Sequence, residues 1–137
     1  MKRILLDTNI IIDLLAKREP FYNDAARLFS LADKEKLNLY VSALSIANVN
    51  YILQKLLKPE EAKNILRKLK VIVRIVDLNE KIISLALNDN TFKDFEDALQ
   101  YFSAIENNVQ AIISRNLKDF EKSKIPVMTA GQFNELR

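Results

Sequence analysis

Side chains that could bind a metal ion are grouped in three short stretches of the sequence. In the first, Asp7 follows an apolar run directly and precedes an apolar segment with helical character. In the second, Asp94 and Asp97 open another helical segment; three residues apart, they should share a face, whereas Glu96 should point elsewhere. Two carboxylates within one helical turn repel each other unless a cation lies between them. Asp7, Asp94 and Asp97 together therefore predict a site for a divalent cation.

The same acids also have a purely structural interpretation. Asp7 and Asp94 both precede helical segments, where an Asp side chain commonly caps the first turn. Glu96 and Asp97 would suit the positive end of the helix dipole. Local residues alone favour capping for both stretches, and only the convergence of Asp7 with the second stretch favours metal binding.

The third polar stretch, Ser114-Arg115-Asn116, follows an apolar run. Its hydroxyl and amide could bind water, phosphate or the outer shell of a metal ion, and Arg115 could pair with phosphate as a fork. An ordinary polar turn, with Phe120 returning to the core, explains the same residues equally well.

The composition excludes several kinds of catalytic site. The chain has 137 residues and contains neither His nor Cys, which rules out Ser-His-Asp chemistry, thiolate zinc sites and disulfides. Hydrolysis would need water activated by a carboxylate or by a bound cation, and clustered carboxylates favour Mg²⁺ or Mn²⁺. The lack of Cys, of a signal peptide and of any long apolar stretch leads us to expect a cytoplasmic protein without membrane association. The formal net charge of +3 allows contact with nucleic acid without requiring it.

Apolar runs alternate with helical segments along the whole chain. Short β-branched runs predict strands at residues 4–6, 39–41, 71–76, 111–113 and 127–128. Helical spacing predicts helices at residues 9–16, 20–34, 43–57, 59–70, 80–87, 94–107 and after Thr129. This alternation implies right-handed crossovers and a mainly parallel sheet covered on both faces, in a single domain spanning residues 1–137. Asp7 would lie at the carboxyl end of the first strand, where open parallel sheets bind ligands.

Positive charge is concentrated in the helical segment at residues 59–70. Lys63, Arg67 and Lys70 recur on one face of it, which would suit the backbone of RNA. A solvated helix face, supported by pairs such as Glu60 with Lys63, is the stronger explanation on local grounds. Tyr51 and Tyr101 could stack on bases, although aromatic residues at helical spacing more often belong to the core.

The order and spacing of these stretches resemble the PIN-domain family, which includes the VapC-like toxin ribonucleases of type II toxin-antitoxin pairs. The matching residues are Leu5-Leu6-Asp7-Thr8-Asn9, residues 41–48, Asp97-Ala98, and Ile113-Ser114-Arg115-Asn116 with Asp119-Phe120. The resemblance implies a three-layer α/β/α sandwich with a mainly parallel sheet, and a metal-dependent endoribonuclease. It also implies a cognate antitoxin and a homodimer. Asp7 matches the first acidic position of the family pattern, and Asp97 the third.

Two residues depart from the family pattern. Asn48 stands where the family usually has Glu, and Asn116 where it often has Asp. An amide oxygen can still bind Mg²⁺, but without charge it should bind more weakly. We expect Asp7, Asp97 and Asp94 to hold Mg²⁺ or Mn²⁺, with Asn48 and Asn116 as neutral helpers. The cation, and not a side chain, would activate the attacking water. The alternative is a degenerate PIN domain, weak or inactive as a nuclease, that binds RNA or protein.

Overall fold

All five strands of the sheet run parallel. The computed structural model describes residues 2–136, and its strands are β1 (Arg3–Leu6), β2 (Asn38–Ser42), β3 (Arg74–Val76), β4 (Ala111–Ile113) and β5 (Val127–Met128). Their order across the sheet is β3-β2-β1-β4-β5, as pairings of β1 with both β2 and β4 require. The chain thus winds from β1 to one edge of the sheet and then returns to the other side of β1. The predicted parallel sheet is confirmed, and its change of direction falls between β1 and β4.

Helices connect the strands and cover both faces of the sheet. They are α1 (Thr8–Leu15), α2 (Tyr22–Asp33), α3 (Ala43–Leu53), α4 (Pro59–Ile72), α5 (Glu80–Asn88), α6 (Phe95–Glu106) and α7 (Ala130–Glu135). A short 3-10 helix, Leu117–Phe120, follows β4. Within residues 2–136, no helix has the length and apolar character needed to cross a bilayer.

The two faces of the sheet carry separate apolar clusters, because successive side chains of a strand point in opposite directions. Ile4 and Leu6 of β1 pack with α1, α2, α3, α4 and α7 on one face. Leu5 lies between them in sequence and packs on the other face, with Tyr101 of α6 and Phe120 of the 3-10 helix. Because α5 packs on α6 at that second face, the molecule is the three-layer α/β/α sandwich that the sequence predicts.

The predicted strand at residues 71–76 is wrong at its start. Helix α4 continues through Ile72, and β3 begins only at Arg74. Ile72 packs against the same cluster as Leu69, three residues earlier, so the apolar stripe of the helix extends into the β-branched run. Val71 lies on the outer side of α4 and is 86% exposed, whereas Ile72 faces the apolar cluster. Elsewhere the helix ends differ from the prediction by a few residues, as where α3 ends at Leu53.

The buried side chain of Leu5 should be a main source of stability, because β1 is the central strand and Leu5 is fully buried between β1 and α6. We expect Leu5→Ala to lower the free energy of unfolding by about 2–5 kcal/mol, the usual cost of removing a buried Leu side chain. Urea unfolding followed by circular dichroism measures this. Val71→Ala, at an exposed position, is the control and should change stability by less than about 0.5 kcal/mol; equal effects of the two substitutions would contradict the assigned packing.

Candidate active site

A cleft of about 480 Å³ opens at the carboxyl end of the sheet, beside the change of direction between β1 and β4. Asp7 reaches it from the end of β1, α3 and α6 form its sides, and the turn after β4 contributes to its rim. The acidic residues that line it are Asp7, Asp94, Glu96, Asp97 and Asp119. The neutral polar residues in its lining are Thr8, Asn9, Asn48, Gln100 and Asn116. The structure therefore brings together the five residues that the sequence predicts for metal binding or catalysis, which are Asp7, Asp94, Asp97, Asn48 and Asn116.

Asp7 is both the cap of α1 and a wall of the cleft. Its Oδ1 accepts the backbone N–H of Thr8 over 2.8 Å, and its Oδ2 accepts the hydroxyl of Ser114 over 2.7 Å. The Ser114 contact crosses from β4 to β1, where the N–H of Asp7 also donates to the carbonyl of Ile113. Burial leaves Asp7 8% exposed and raises the pKa of its carboxyl above the ordinary value, and the bonds from Ser114 and Thr8 only partly offset this rise. Asp7 can therefore cap α1 and line the cleft at the same time.

The opening turn of α6 supplies the other predicted acids. Asp94 caps the helix, since its Oδ1 accepts the backbone N–H of Glu96 over 2.9 Å, and it lines the cleft as well. Burial, followed by the negative charges of Asp94, Asp119, Asp7 and Glu96, raises the pKa of Asp97 to about 7. At neutral pH this carboxyl therefore holds its proton about half of the time, because its charged form is poorly solvated and faces other carboxylates.

The expectation that Glu96 points away from the site is wrong. Glu96 lines the cleft with Asp94 and Asp97, and its charge contributes to the raised pKa values of both Asp7 and Asp97. The reason is that Glu96 lies in the first turn of α6. The amino-terminal end of this helix faces the cleft, so residues on every face of the first turn can lie near it. Asp119, which the predicted metal site does not include, also lines the cleft.

The oxygen donors that line the cleft fit a divalent cation. Among residues 2–136, no three acidic side chains stand close enough together to form a preassembled metal site. However, the charge of Asp7 contributes to the raised pKa of Asp97, and the charges of Asp119 and Glu96 contribute to the raised pKa of both carboxyls, so these acids share one electrostatic environment. Hard oxygen donors that repel one another fit Mg²⁺ or Mn²⁺, because a cation between them would remove the repulsion.

Arg115 does not reach the cleft, so the structure does not support its predicted contact with phosphate. Its Nε and Nη2 donate to Asp13 over 2.9 Å and 3.1 Å, and its guanidinium lies 4.2 Å from the ring centre of Phe21. Asp13 is 1% exposed, so its charge needs this partner. The cationic side chain that does line the acidic cleft is that of Arg18. Sequence reasoning missed it, since Arg18 lies in the turn after α1 and belongs to no periodic pattern.

The predicted basic track lies on a different surface. Lys63, Arg67 and Lys70 line a separate, mainly apolar groove between α4, α3 and the edge strand β3. The exposed Arg67 also pairs with Glu60 over 3.3 Å. RNA contact at these three residues stays a prediction, and it would be contact away from the acidic cleft.

The two tyrosines considered for base stacking have different positions. Tyr101 is 7% exposed and belongs to the core, as the structural alternative predicts. Tyr51 is 66% exposed, lines the cleft, and has the ammonium group of Lys55 4.7 Å from its ring centre. Of the two aromatic rings, Tyr51 is therefore the one available to a bound molecule.

Comparison with known proteins gives one family and one fold. Residues 3–118 match the sequence profile of a family described as PIN domain. The chain is 30% identical over 141 residues to Ribonuclease VapC1 of Aquifex aeolicus (strain VF5), and the alignment covers 98% of this chain and 94% of that protein. Asp7 and the acids at the start of α6 fall within residues 3–118.

Solved structures with the same fold include toxin-antitoxin complexes. VapBC2 of Rickettsia felis, bound to a DNA fragment from its promoter, is similar with a TM-score of 0.68 and 21% identity, over 92% of this chain and 96% of that chain. A toxin-antitoxin complex from Klebsiella pneumoniae gives a TM-score of 0.70 at 24% identity, over 93% of this chain and 97% of that chain. At such identities the similarity shows the shared fold.

The raised pKa of Asp97 should make the stability of the metal-free protein depend on pH. An unfolded Asp ionises near pH 4, whereas the folded carboxyl ionises near 7. The stability linked to this group is therefore complete below about pH 4 and is lost as the pH rises through about 7. Because the side chain is only partly buried, solvent screens the repulsion, and we expect a loss of about 1–2 kcal/mol.

Urea unfolding in EDTA at pH 5 and pH 8 measures this loss. Asp97→Asn should reduce the difference between the two pH values, because an amide does not ionise. Asp77→Asn, at an exposed position outside the cleft, is the matched control and should keep the wild-type difference. If Asp97→Asn and Asp77→Asn behaved alike, the charge repulsion assigned to the cleft would be refuted.

The Arg115 ion pair should act on stability. We expect Arg115→Met to lower the free energy of unfolding by about 3 kcal/mol, because it leaves the buried charge of Asp13 without a partner. The double variant Asp13→Leu, Arg115→Met removes both charges and should recover most of this loss. Urea unfolding of the three proteins tests the pair, and a loss below about 1 kcal/mol in Arg115→Met would show that Arg115 is not needed for the fold.

Proposed function

This chain belongs to the PIN-domain family, and from that premise we propose that it is a metal-dependent endoribonuclease that hydrolyses RNA phosphodiesters. The observation that carries the proposal is the convergence of Asp7, Asp94 and Asp97 in one cleft, with Glu96 and Asp119 beside them. The 30% identity between this chain and a ribonuclease, over nearly the whole length of both, supports the choice of RNA as substrate.

Asp7, Asp97 and Asp94 would hold Mg²⁺ or Mn²⁺, and the amide oxygens of Asn48 and Asn116 would assist as neutral donors. When bound, such a cation lowers the pKa of water and offsets negative charge on a phosphate. The surrounding residues have to hold these donor oxygens in place. Ser114 does this for Asp7, because its hydroxyl and the N–H of Thr8 occupy separate oxygens of the carboxylate and fix its orientation.

The charges around the cleft also influence how a phosphate would approach it. The carboxylates repel an anionic phosphate as long as they are ionised and unpaired. Arg18 is the cationic side chain in the lining and would attract the phosphate or stabilise negative charge on it. Since the chain has no His, proton transfer would fall to water and to carboxylates.

We further propose that the protein is the toxin of a toxin-antitoxin pair, acts on RNA in the cytoplasm, and forms a homodimer. This rests on the similarity to the VapC1 ribonuclease and on the fold shared with toxin-antitoxin complexes. A cognate antitoxin would inhibit the toxin by blocking the acidic cleft. Co-expression with the protein encoded by an adjacent reading frame, followed by co-purification, tests this partner.

A second candidate function is a PIN domain that binds RNA or protein without cutting. Asn48 and Asn116 favour it, because both occupy the lining of the cleft and supply no negative charge. A protein of this kind would bind Mn²⁺ weakly, so that millimolar Mn²⁺ would not raise its melting temperature.

Cleavage of a cellular RNA pool by the purified protein tests the proposed nuclease. We expect discrete fragments with Mn²⁺ or Mg²⁺ and none with EDTA. Asp7→Asn, Asp97→Asn should slow cleavage by at least about a hundredfold, because the double variant removes two of the charges that would hold the cation. Gel electrophoresis gives the rates, and sequencing of the fragment ends locates the cuts.

Asp77→Asn is the control for this experiment, because it removes one carboxylate charge outside the cleft and should leave cleavage unchanged. Circular dichroism confirms that both variants are folded. Cutting that persists in EDTA or in the double variant would contradict a nuclease that depends on metal held by Asp7 and Asp97. Absence of cutting by the wild-type protein, combined with RNA binding, would favour the non-cutting alternative.

A further inference from the structure

A chain of neutral hydrogen bonds forms the floor of the acidic cleft. Thr8 Oγ1 lies 2.8 Å from Ser45 Oγ, and Gln100 Nε2 donates to the same Ser45 Oγ over 2.6 Å. Thr8 and Gln100 line the cleft, and Ser45 is fully buried between them. We call Thr8, Ser45 and Gln100 the neutral relay. It connects the first residue of α1 to α3 and α6.

The proton positions within the neutral relay follow from the number of donors around Ser45. A hydroxyl oxygen has one proton to donate and two lone pairs that accept. Gln100 donates to one lone pair, and Ser42 Oγ donates to the other over 3.3 Å. Ser42 itself accepts the backbone N–H of Ser45. The Ser45 proton is therefore left for Thr8 Oγ1, and Ser45 is the donor in that bond.

The hydroxyl proton of Thr8 is then directed at the cleft. Thr8 Oγ1 accepts from Ser45, and none of the hydrogen bonds among residues 2–136 gives the Thr8 proton a protein acceptor. This donor is available to water or to an acceptor on a bound molecule, and an anionic phosphate oxygen forms a stronger hydrogen bond than a neutral acceptor.

Gln100 provides a second indication that a ligand completes this floor. Its Oε1 is buried without any hydrogen-bond partner, and the residue is 3% exposed. It follows Asp97 by three residues, so the two side chains lie on the same face of α6. An unpaired buried carbonyl is costly, and a donor brought by a bound molecule or its water would satisfy it.

We propose that Thr8 is a substrate-binding residue whose hydroxyl donates a hydrogen bond to a non-bridging oxygen of an RNA phosphate in the cleft. Gln100, acting through Ser45, is a positioning residue that keeps Thr8 oriented as a donor. The proposal rests on the proposed function, because it takes RNA as the occupant of the cleft. The Thr8 hydroxyl would give the phosphate a neutral hydrogen-bond donor in a cleft whose carboxylates repel the phosphate.

An NMR titration with RNA dinucleotides tests the role of Thr8. The probe is an equimolar mixture of the sixteen dinucleoside monophosphates, added in Ca²⁺ to ¹⁵N-labelled protein, with the intactness of the probe checked by chromatography. Thr8→Val keeps the shape of the side chain but removes the donor, so we expect binding in the cleft to weaken by about tenfold. Thr8→Ser restores the hydroxyl and should bind within about threefold of wild type.

Gln100→Met tests the positioning role, because Met fills a similar volume without donating to Ser45. We expect binding about threefold weaker than wild type, since Ser45 is then free to accept from Thr8. The same substitution in the Thr8→Val background should have no effect, because the hydroxyl through which Gln100 acts is absent. If Gln100→Met does not fold, Gln100→Asn replaces it, because its amide is one methylene too short to reach Ser45.

Ser103→Ala is the control, because Ser103 is a fully buried hydroxyl on the next turn of α6 and does not line the cleft. It should bind the dinucleotides like wild type. Unchanged binding by Thr8→Val, or no shifts at the cleft in wild type, overturns the proposal. If Gln100→Met weakens dinucleotide binding equally in the wild-type and the Thr8→Val background, the positioning role is overturned. Cleavage is measured separately, so loss of the nuclease function alone would leave the Thr8 result standing.

Discussion

Carboxylates that repel one another lie together at the carboxyl end of β1, and the rest of the structure has to offset the free-energy cost of holding them there. Asp7 is buried there, and the first turn of α6 brings Asp94 and Asp97 to the same cleft. Neither burial nor the nearby charges favour ionisation, as the raised pKa values of Asp7 and Asp97 record. The favourable packing of two apolar layers on the sheet holds these groups together, and the hydrogen bonds from Thr8 and Ser114 offset part of the cost at Asp7.

The sheet, its three layers and the meeting of the acids could all be predicted from the sequence, because they depend on patterns with a fixed geometry. Alternating apolar strands and helices specify parallel crossovers, and the carboxyl ends of parallel strands lie on one edge. That edge is where Asp7 was expected, and the structure places it there. The boundary between α4 and β3, within the β-branched run at residues 71–76, was not predictable in the same way. Whether Ile72 ends a helix or begins a strand depends on its contact with the apolar cluster, which spacing alone does not determine.

Polar side chains were harder to assign, because their roles depend on partners far away in sequence. Arg115 has the same chemistry whether it binds phosphate or a protein carboxylate, and the burial of Asp13, 102 residues away, decides between them. Gln100 could have been noticed from its position three residues after Asp97. Its partner Ser45, however, lies 55 residues earlier, and that contact exists only once α3 and α6 are packed together.

The amides at positions 48 and 116 reduce the charge of the cleft by less than a count of acids suggests. Burial and, after it, the neighbouring carboxylates already raise the pKa of Asp97 to about 7. An acid in place of Asn48 or Asn116 would join the same repelling group, so part of its charge would be neutralised by a proton at neutral pH. A bound cation would reverse this by favouring ionisation of the acids that contact it. The ionisation of the cleft therefore depends on its occupant as well as on its residues, and this reduces the support that Asn48 and Asn116 give to the non-cutting alternative. Their oxygens still add neutral donors to a site that Asp7 and Asp97 would supply with charge.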